Sequence, residues 1–245
     1  MALHKAMTIA GSDTSGGAGM EADLKTFTAM GVYGMTALTV IVAQNPLNWD
    51  HEMYPIGMDV IEKQIKTIVE GIGIDAMKTG MLGSAELVQL VADTIDKYSL
   101  KNVVIDPVMV CKGIDAIMVP EAAKAIKEVL VSRADVITPN TLEAAYIAGM
   151  DKVVIKSGSR NNSDEAVDVL YDGKNYVVNT EKKIPGCFNH GAGCTFSAAI
   201  TAGLAKGLSV KDALAEAKEF ITVALKNSFR LNQFSGATDH CKWNK

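Results

Sequence analysis

The chain has 245 residues, of which 48% are hydrophobic and 21% charged, and its formal net charge at pH 7 is −4. This mild acidity excludes the basic surface that nucleic acid or an anionic membrane would require. No stretch approaches the roughly 20 apolar residues of a membrane span, and the first apolar run is too short for a signal peptide. We therefore expect one cytoplasmic domain over residues 1–245 that acts on a small molecule.

Four cysteines are spread along the chain without any C-x-x-C pair, which argues against both a zinc site and a disulfide framework. They are Cys111, Cys187, Cys194 and Cys241. Each is expected to be a free thiol. Nothing in the sequence around Cys187 or Cys241 indicates more than an ordinary structural role.

Short β-rich runs alternate with longer helical patterns, which predicts an α/β fold with a mostly parallel sheet covered by helices on both faces. In chain order the first half contains a strand at 5–13, a helix at 20–31, a strand at 35–44, a helix at 58–73, a strand with its loop at 75–82 and a helix at 84–98. The same rhythm continues with a strand at 102–110, a helix at 121–133 and a strand at 135–140.

The rhythm changes after Lys156. Residues 166–183 have the pattern of two strands joined by a turn at Asp172 and Gly173, which predicts a small antiparallel hairpin at the far side of the sheet. Two helices, at 194–207 and 210–229, then follow.

One junction is too short for this fold. Only about ten residues, "TLEAAYIAGM", separate the strands at 135–140 and 151–156, whereas a right-handed crossover needs a dozen or more. Either a helix is truly missing or residues between Met150 and Asp151 are absent from the sequence. We expect the second.

In a doubly wound sheet, ligands bind where the strands end and the helices begin, so the loops at that edge are the candidate ligand-binding segments. The loop at 10–23 is rich in Ser and Gly but lacks the Walker pattern, so it is either a close-packed turn or a substrate loop. The segment "KTGML" at 78–82 fits either an ordinary strand-to-helix turn around Gly80 or a ligand loop.

Acidic and amide side chains follow two later strands. Asp106 ends an apolar strand, where a carboxylate either holds Mg²⁺ or caps a turn, and the following "CKG" is a candidate flap. Asn140 and Glu143 are three residues apart at a helix start, a spacing that suits Mg²⁺ contacts but also an ordinary capping box. The spacing of these residues alone does not decide between metal binding and helix capping.

Two further loops suit anions. Lys156 ends a strand before a Ser/Gly loop and is either a phosphate ligand or a solvated lysine. In "FNHGAGCTFSAAI" the small residues Gly191 to Gly193 precede a helix that begins near Cys194, so backbone N–H groups and the helix dipole together favour a negative charge there.

Taken together, these loops resemble the ribokinase superfamily, and more narrowly the branch of hydroxymethylpyrimidine kinases and the related bacterial pyridoxal kinases. The resemblance covers essentially the whole chain and is carried, in order, by "AGSDTSGGAGMEADLKTF", "YGMTALT", "KTGMLGS", "DPVMVCKG", "TPNTLEA" and "HGAGCTFSAAI". It implies a three-layer α-β-α fold and transfer of the ATP γ-phosphoryl group to a primary alcohol on a heteroaromatic ring. It also suggests a homodimer, while the need for a monovalent cation stays open.

The resemblance also implies residue roles. Asp106 and Glu143 would organise Mg²⁺, and the catalytic set would be Cys194, Cys111, Gly191, Ala192 and Gly193. The nucleotide would contact Thr79, Asn140, Glu143, Lys156, Ser157, Gly158 and Gly193. The acceptor alcohol would contact Ser12, Asp13, Gly19, Gln44, His51 and Lys112.

Cys194 is a departure from the wider superfamily, in which many members have an aspartate as general base at this place. A cysteine at a helix N-terminus can have its pKa lowered from about 8.5 to between about 3.5 and 7.5, so we expect a Cys194 thiolate as the base. The resemblance places Cys111 on a flap over the site, where closure would bring it to polarise Cys194.

Two acceptor alcohols fit this pattern. The segments "CKG" and "HGAGCTFSAA" favour pyridoxal, whereas Gln44 is typical of the pyrimidine kinases because its amide can pair with an aminopyrimidine edge. We expect pyridoxal as the main substrate and the hydroxymethylpyrimidine as a second one. A nucleotide- or vitamin-binding regulator without catalysis is the alternative of another class, although every proposed catalytic position carries a competent side chain.

Overall fold

The structure is a computed structural model that describes residues 3–109, 119–147, 153–156, 164–171, 174 and 176–243, with the backbone alone described at 145 and 153–156. No helix in these ranges is long and apolar enough to cross a membrane. The predicted flap, with Cys111 and Lys112, lies outside the described residues. So do Ser157, Gly158, the turn at Asp172 and Gly173, and the junction at Met150, whose missing residues stay a prediction.

A nine-stranded sheet forms the centre of the fold, in the order β3-β2-β1-β4-β5-β6-β7-β8-β9. Six adjacent strands in the middle of the sheet, β2, β1, β4, β5, β6 and β7, are parallel to one another. At the edges, β3 pairs antiparallel with β2, β8 with β7, and β9 with β8. The strands are β1 Lys5–Asp13, β2 Tyr33–Gln44, β3 His51–Pro55, β4 Ala76–Thr79, β5 Val103–Ile105, β6 Val136–Ile137, β7 Val153–Lys156, β8 Glu165–Tyr171 and β9 Tyr176–Lys182.

Helices cover both faces of this sheet. They are α1 Gly19–Ala29, α2 Met58–Gly71, α3 Ala85–Tyr98, α4 Pro120–Ala125, α5 Thr141–Ile147, α6 Ala192–Ala205 and α7 Val210–Lys226. α4 continues through a π-helical turn at Ile126–Leu130 and a 3₁₀ turn at Val131–Arg133. Ser84 and Ser209 cap α3 and α7, since each hydroxyl accepts an N–H from the first turn of its helix.

Two separate cores fill the spaces between sheet and helices. Apolar side chains of α2, α3 and α4 pack on one face, and those of α1, α6 and α7 pack on the other. α6 is buried along its length from Thr195 to Ala205, which explains why its sequence is apolar on all sides. The expected three-layer fold with an antiparallel hairpin is therefore confirmed.

Two small elements were not predicted. β3 is exposed throughout and carries no apolar alternation, so only its antiparallel pairing with β2 makes it a strand. The two-residue strands β10 Phe229–Arg230 and β11 Gly236–Ala237 pair near the end of the chain, and Ala237 also bridges to His190. α6 begins at Ala192, two residues before the predicted start.

A buried ion pair joins α7 to the antiparallel edge of the sheet. Lys218 is 8% exposed, and its ammonium donates to Asp168 Oδ2 at 2.6 Å and to the carbonyl of Ala166 at 3.0 Å. Removing one partner of a buried pair leaves an uncompensated charge, which is costly, whereas removing both is nearly neutral.

We expect Lys218→Met to lower the free energy of unfolding by about 3 kcal/mol, and the double change Lys218→Met with Asp168→Leu to restore most of it. Urea denaturation measures both. The exposed pair Lys63 and Asp59 is the control, and Lys63→Met should change stability by less than about 0.5 kcal/mol. Equal losses in the single and double variants would contradict the account.

Candidate active site

Asp13, the last residue of β1, forms the centre of a polar cluster at the carboxyl edge of the parallel strands. Its Oδ1 accepts the Ser15 N–H at 3.0 Å and the Gln44 amide at 2.6 Å. Its Oδ2 accepts the Ala18 N–H at 2.8 Å and lies 2.6 Å from His190 Nε2. Burial would raise the pKa of Asp13, but the hydrogen bonds from His190, Ser15 and Ala18 hold it well below its ordinary value.

The same cluster contains most of the residues predicted for the acceptor. Ser12 Oγ and the Asp13 N–H both donate to the carboxylate of Glu21, each at 2.8 Å, which fixes the loop between β1 and α1. His51 is exposed and opposite Gln44 in the register of β2 and β3, so it lies at the edge of this cluster.

The N-termini of α1 and α6 meet beside Asp13. Gly191, the N-cap of α6, has φ +78°, and a Cβ there would lie 1.7 Å from the carbonyl oxygen of Gly17. A Cβ on Gly17 would in turn lie 2.5 Å from the His190 ring. Only glycines allow the two loops to approach this closely. Two helix N-termini thus direct their positive ends toward one place, as an anion site requires.

Cys194 lies in the first turn of α6, and the backbone of Gly19 at the start of α1 lowers its pKa. The expectation of a low-pKa thiolate is wrong for this arrangement, because burial raises the pKa of Cys194 to about 11. The positive charge of Lys78 acts in the opposite direction, but the negative charges of Asp23 and Asp106 add to the effect of burial. Without a ligand, Cys194 is a neutral thiol at physiological pH.

Charged groups lie buried beneath this junction. Lys78 and Asp23 are both fully buried, and the ammonium donates to both carboxylate oxygens at 3.0 Å. Thr8 Oγ1 donates to Asp23 at 2.7 Å. Asp106 is 4% exposed and accepts a hydrogen bond from Ser197 Oγ at 2.9 Å.

Asn140 and Glu143 form the capping box that their spacing allows. Asn140 Oδ1 accepts the N–H groups of Leu142 and Glu143 at 3.0 and 3.1 Å, while Glu143 Oε2 accepts the Asn140 N–H at 2.8 Å. The other Glu143 oxygen accepts the Met109 N–H at 3.0 Å, which ties α5 to the segment after β5.

Two buried carboxylates at this edge, Asp106 and Glu143, provide the hard oxygen ligands that Mg²⁺ prefers. In the ranges that the structure describes, no group of three or more His, Cys, Asp or Glu is placed to hold a metal ion. The donor set therefore fits an ion that takes one or two carboxylates and completes its shell with phosphate oxygens and water.

Thr79 ends β4 at the same edge. Its hydroxyl oxygen is buried and has no hydrogen-bond partner among the described residues. Lys156 ends β7, and its side chain lies outside the description.

An apolar cavity of about 320 Å³ opens on the face of α2, α3 and α4. Met53, Met58, Met81, Val108 and Met109 contribute to its wall, and none of the predicted acceptor residues that the structure describes does. It lies beyond the ends of β4 and β5, because Met81 and Val108 each follow shortly after one of those strands.

The sequence did not single out two histidines of the site. His190 connects the start of α6 to Asp13 through their hydrogen bond. Its position next to the glycines of that loop is the sequence feature that could have identified it. His240 is 5% exposed, with its Nε2 2.9 Å from Thr195 Oγ1. Burial lowers the pKa of His240 to about 4, so it is neutral where it supports α6.

The fold and the site define a class: a ribokinase-like α/β protein in which two helix N-termini meet at the carboxyl edge of the parallel strands. The model of the phosphomethylpyrimidine kinase family matches residues 13–239. A pyridoxine kinase of Bacillus subtilis is 53% identical over 262 residues, with 98% of this chain and 97% of that protein covered. A hydroxymethylpyrimidine/phosphomethylpyrimidine kinase of the same organism is 37% identical over 260 residues, covering 98% of this chain and 96% of that one.

The structure of the pyridoxal kinase from Staphylococcus aureus in complex with AMP-PCP and pyridoxal superposes with a TM-score of 0.93. It is 41% identical, and 100% of this chain and 96% of that chain are covered. The chain belongs to the phosphomethylpyrimidine kinase family. The expected resemblance and the expectation of a kinase are confirmed at this level.

We expect Gly191→Ala to be far more damaging than Gly186→Ala. Both glycines have positive φ, +78° and +70°, but a Cβ at Gly186 meets nothing within 4 Å. Gly186→Ala should cost about 1 kcal/mol from backbone strain alone. Gly191→Ala should also force the two loops apart, so urea denaturation should show a loss at least twice as large. Equal losses would mean that the contact with Gly17 does not matter.

The raised pKa of Cys194 predicts slow alkylation in the ligand-free protein. The rate with iodoacetamide, followed by mass spectrometry of the Cys194 peptide, should rise about tenfold per pH unit from about pH 6 to about pH 9 without levelling. Exposed Cys241 in the same sample is the internal control. A plateau for Cys194 below about pH 8 would show that the thiolate forms without ligand.

Proposed function

We propose that this chain transfers the γ-phosphoryl group of ATP to the primary hydroxymethyl group of pyridoxal, giving pyridoxal 5′-phosphate. The observation that carries the proposal is the junction of α1 and α6, where two helix N-termini, Cys194 and the Asp13 cluster meet. The names of the relatives, a pyridoxine kinase and a pyridoxal kinase bound to AMP-PCP and pyridoxal, support this substrate pair.

Phosphoryl transfer needs mainly positioning and charge neutralisation. The N–H groups of Gly191, Gly193 and Cys194 would face the transferring phosphoryl group, and the positive end of the α6 dipole would stabilise its charge. The Ala192 N–H donates to the Asn189 carbonyl at 3.2 Å, so Ala192 would hold the turn that presents these donors. Thr79 would line the nucleotide site from the end of β4, and Lys156 would meet a phosphate as a point charge. Asn140 contributes indirectly, because it caps α5 and so holds Glu143 in place.

Asp106 and Glu143 would hold the Mg²⁺ that enters with ATP. When bound, that ion supplies positive charge to the phosphates and to this carboxylate pair. Ser197 keeps Asp106 oriented by its hydrogen bond from the second turn of α6.

The acceptor ring would be held by the Asp13 cluster. The pKa of Asp13 is lowered, so its carboxylate is negatively charged, and it accepts hydrogen bonds from the Gln44 amide and from the Ala18 N–H next to Gly19. Glu21 holds Ser12 in the same loop. Gln44 therefore supports the Asp13 carboxylate in addition to any contact with substrate. His51 pairs with Gln44 at the edge of the cluster and would close the outer side of the acceptor ring.

Cys194 would remove the proton of the alcohol. Its thiol must first ionise, and the two nearby carboxylates oppose this in the ligand-free protein. The thiol would therefore ionise only when positive charge offsets these carboxylates, and the Mg²⁺ that enters with the anionic ATP would supply that charge.

Phosphorylation of hydroxymethylpyrimidine is the second candidate function. Gln44 favours it, because an amide can pair with an aminopyrimidine, and a relative named as a hydroxymethylpyrimidine/phosphomethylpyrimidine kinase is 37% identical. We place it as a side activity of the same site.

A measurement of ATP turnover distinguishes the proposed kinase from a regulator that only binds nucleotide or vitamin. ATP consumption should depend on added pyridoxal and Mg²⁺, and the product should comigrate with pyridoxal 5′-phosphate. Tight binding of both ligands with no turnover would favour a regulatory role instead.

We expect Cys194→Ala to lower kcat at least about 100-fold while ATP affinity is unchanged, because only proton transfer is lost. Cys194→Asp should retain a measurable kcat, since a carboxylate can also accept the proton. Cys187→Ala, at a partly buried free cysteine outside the junction, is the control and should keep full activity. A Cys194→Ala variant with near-normal kcat would remove Cys194 as the base.

A further inference from the structure

Trp49 lies in the loop between β2 and β3, and its backbone is in the left-handed region with φ +64°. A bulky residue rarely adopts this conformation, which persists only where the surrounding structure stabilises it. Two hydrogen bonds fix the loop: the Trp49 N–H donates to the Asn45 carbonyl, and the Asn45 N–H donates to the Asp50 carbonyl, each at 2.8 Å. The loop at 45–50 therefore presents the indole at a defined place.

The Trp49 indole stacks on the ring of Phe234, which belongs to the turn between β10 and β11. The ring centroids are 6.0 Å apart and the ring planes differ by 21°, which is an offset stacking geometry. Asn232 fixes this turn, since its Oδ1 accepts the N–H groups of Phe234 and Ser235 at 2.8 and 2.9 Å. Phe234 is 44% exposed, so the pair lies at the surface of the protein and belongs to neither core.

Both sides of this aromatic contact lead back to Asp13. On one side Gln44, the residue before the loop, donates to Asp13 Oδ1 at 2.6 Å. On the other side Ala237 of β11 bridges to His190, whose Nε2 lies 2.6 Å from Asp13 Oδ2. The aromatic pair thus closes a ring of contacts that runs through the two loops and through both carboxylate oxygens of Asp13.

The stacking contact is the link in this ring that opens most easily. The hydrogen bonds to the buried Asp13 carboxylate are charge-assisted, and β11 is joined to His190 through the backbone. Stacking of two partly exposed rings is weaker than these bonds. Separation of the rings would free the loop at 45–50 from the hairpin while the Asp13 carboxylate stays in place.

We propose that Trp49 and Phe234 form a latch over the acceptor side of the site, in which Trp49 is a positioning residue that holds Gln44 against Asp13. The latch opens to admit the heteroaromatic alcohol and closes behind it. This inference rests on the proposed binding of the acceptor by the Asp13 cluster. It gives the latch no part in nucleotide binding, which is proposed for other loops of the same edge.

The latch predicts a difference between the two substrates. Trp49→Ala should raise KM for pyridoxal about tenfold, because Gln44 is no longer held in place, while kcat and KM for ATP stay within about twofold. Phe234→Ala should have the same effect, and the double variant should add little, because both changes remove one contact. Trp49→Phe should keep KM for pyridoxal close to normal, since a phenyl ring can still stack. Steady-state kinetics of the full chain measures all four variants.

Two control variants separate the latch from a general loosening of the protein. Leu47→Ala shortens a side chain of the same loop that is 84% exposed. Tyr176→Ala breaks a second stacked pair, with Tyr171 at 4.7 Å, which lies at the opposite edge of the sheet, where Tyr171 pairs with Val153 at the start of β7. Both variants should keep normal KM values. A normal KM for pyridoxal in Trp49→Ala, an equal rise of KM for ATP, or additive effects in the double variant would overturn the proposal.

Fluorescence follows the latch without turnover. The chain has two tryptophans, so Trp243→Phe leaves Trp49 as the only one. In that protein, pyridoxal without ATP should lower the quenching of Trp49 by acrylamide, whereas AMP-PCP alone should not. With Phe234→Ala added, quenching should be higher and should no longer respond to pyridoxal. Quenching that is the same with and without pyridoxal would refute the latch, whereas a wild-type chain without turnover would refute the proposed function and leave this titration decisive for the latch.

Discussion

The close contact between the loops that begin α1 and α6 is the constraint on which the site depends. The backbones of Gly191 and Gly17 are in direct contact, and a hydrogen bond between Asp13 and His190 holds the two loops together. That contact brings together two helix N-termini, the polar cluster around Asp13 and the thiol of Cys194. The parallel sheet contributes by bringing both helix starts to one edge.

The charge balance below the junction of α1 and α6 sets what the thiol can do. One ammonium and two carboxylates lie buried there, so Cys194 stays neutral until further positive charge arrives. In the proposed reaction, the Mg²⁺ that enters with ATP would offset the negative charge of Asp106, so the thiol would ionise only when the phosphoryl donor is present. This arrangement also explains why a cysteine with a raised pKa can occupy the position where many superfamily members carry an aspartate.

Most of the helices and strands, and the loops that form the site, could be predicted from the sequence. Hydrophobic periodicity and glycine stops located the helices and the parallel strands, because burial on a sheet imposes those patterns. The loops "HGAGC" and "AGSD" were found because glycines and small residues mark a close backbone approach. β3 was missed because its stability comes from pairing with β2 and not from its own residues. The pKa of Cys194 was predicted in the wrong direction, because the local motif shows the helix dipole but not Asp23 and Asp106, which come from distant parts of the chain.

The central claim is that this site phosphorylates pyridoxal, and the kcat/KM values for pyridoxal and hydroxymethylpyrimidine with Mg·ATP test it most directly. The account predicts turnover of both alcohols with the higher kcat/KM for pyridoxal. A large preference for the pyrimidine would reverse the assignment of the substrate, and no turnover of either alcohol would contradict it.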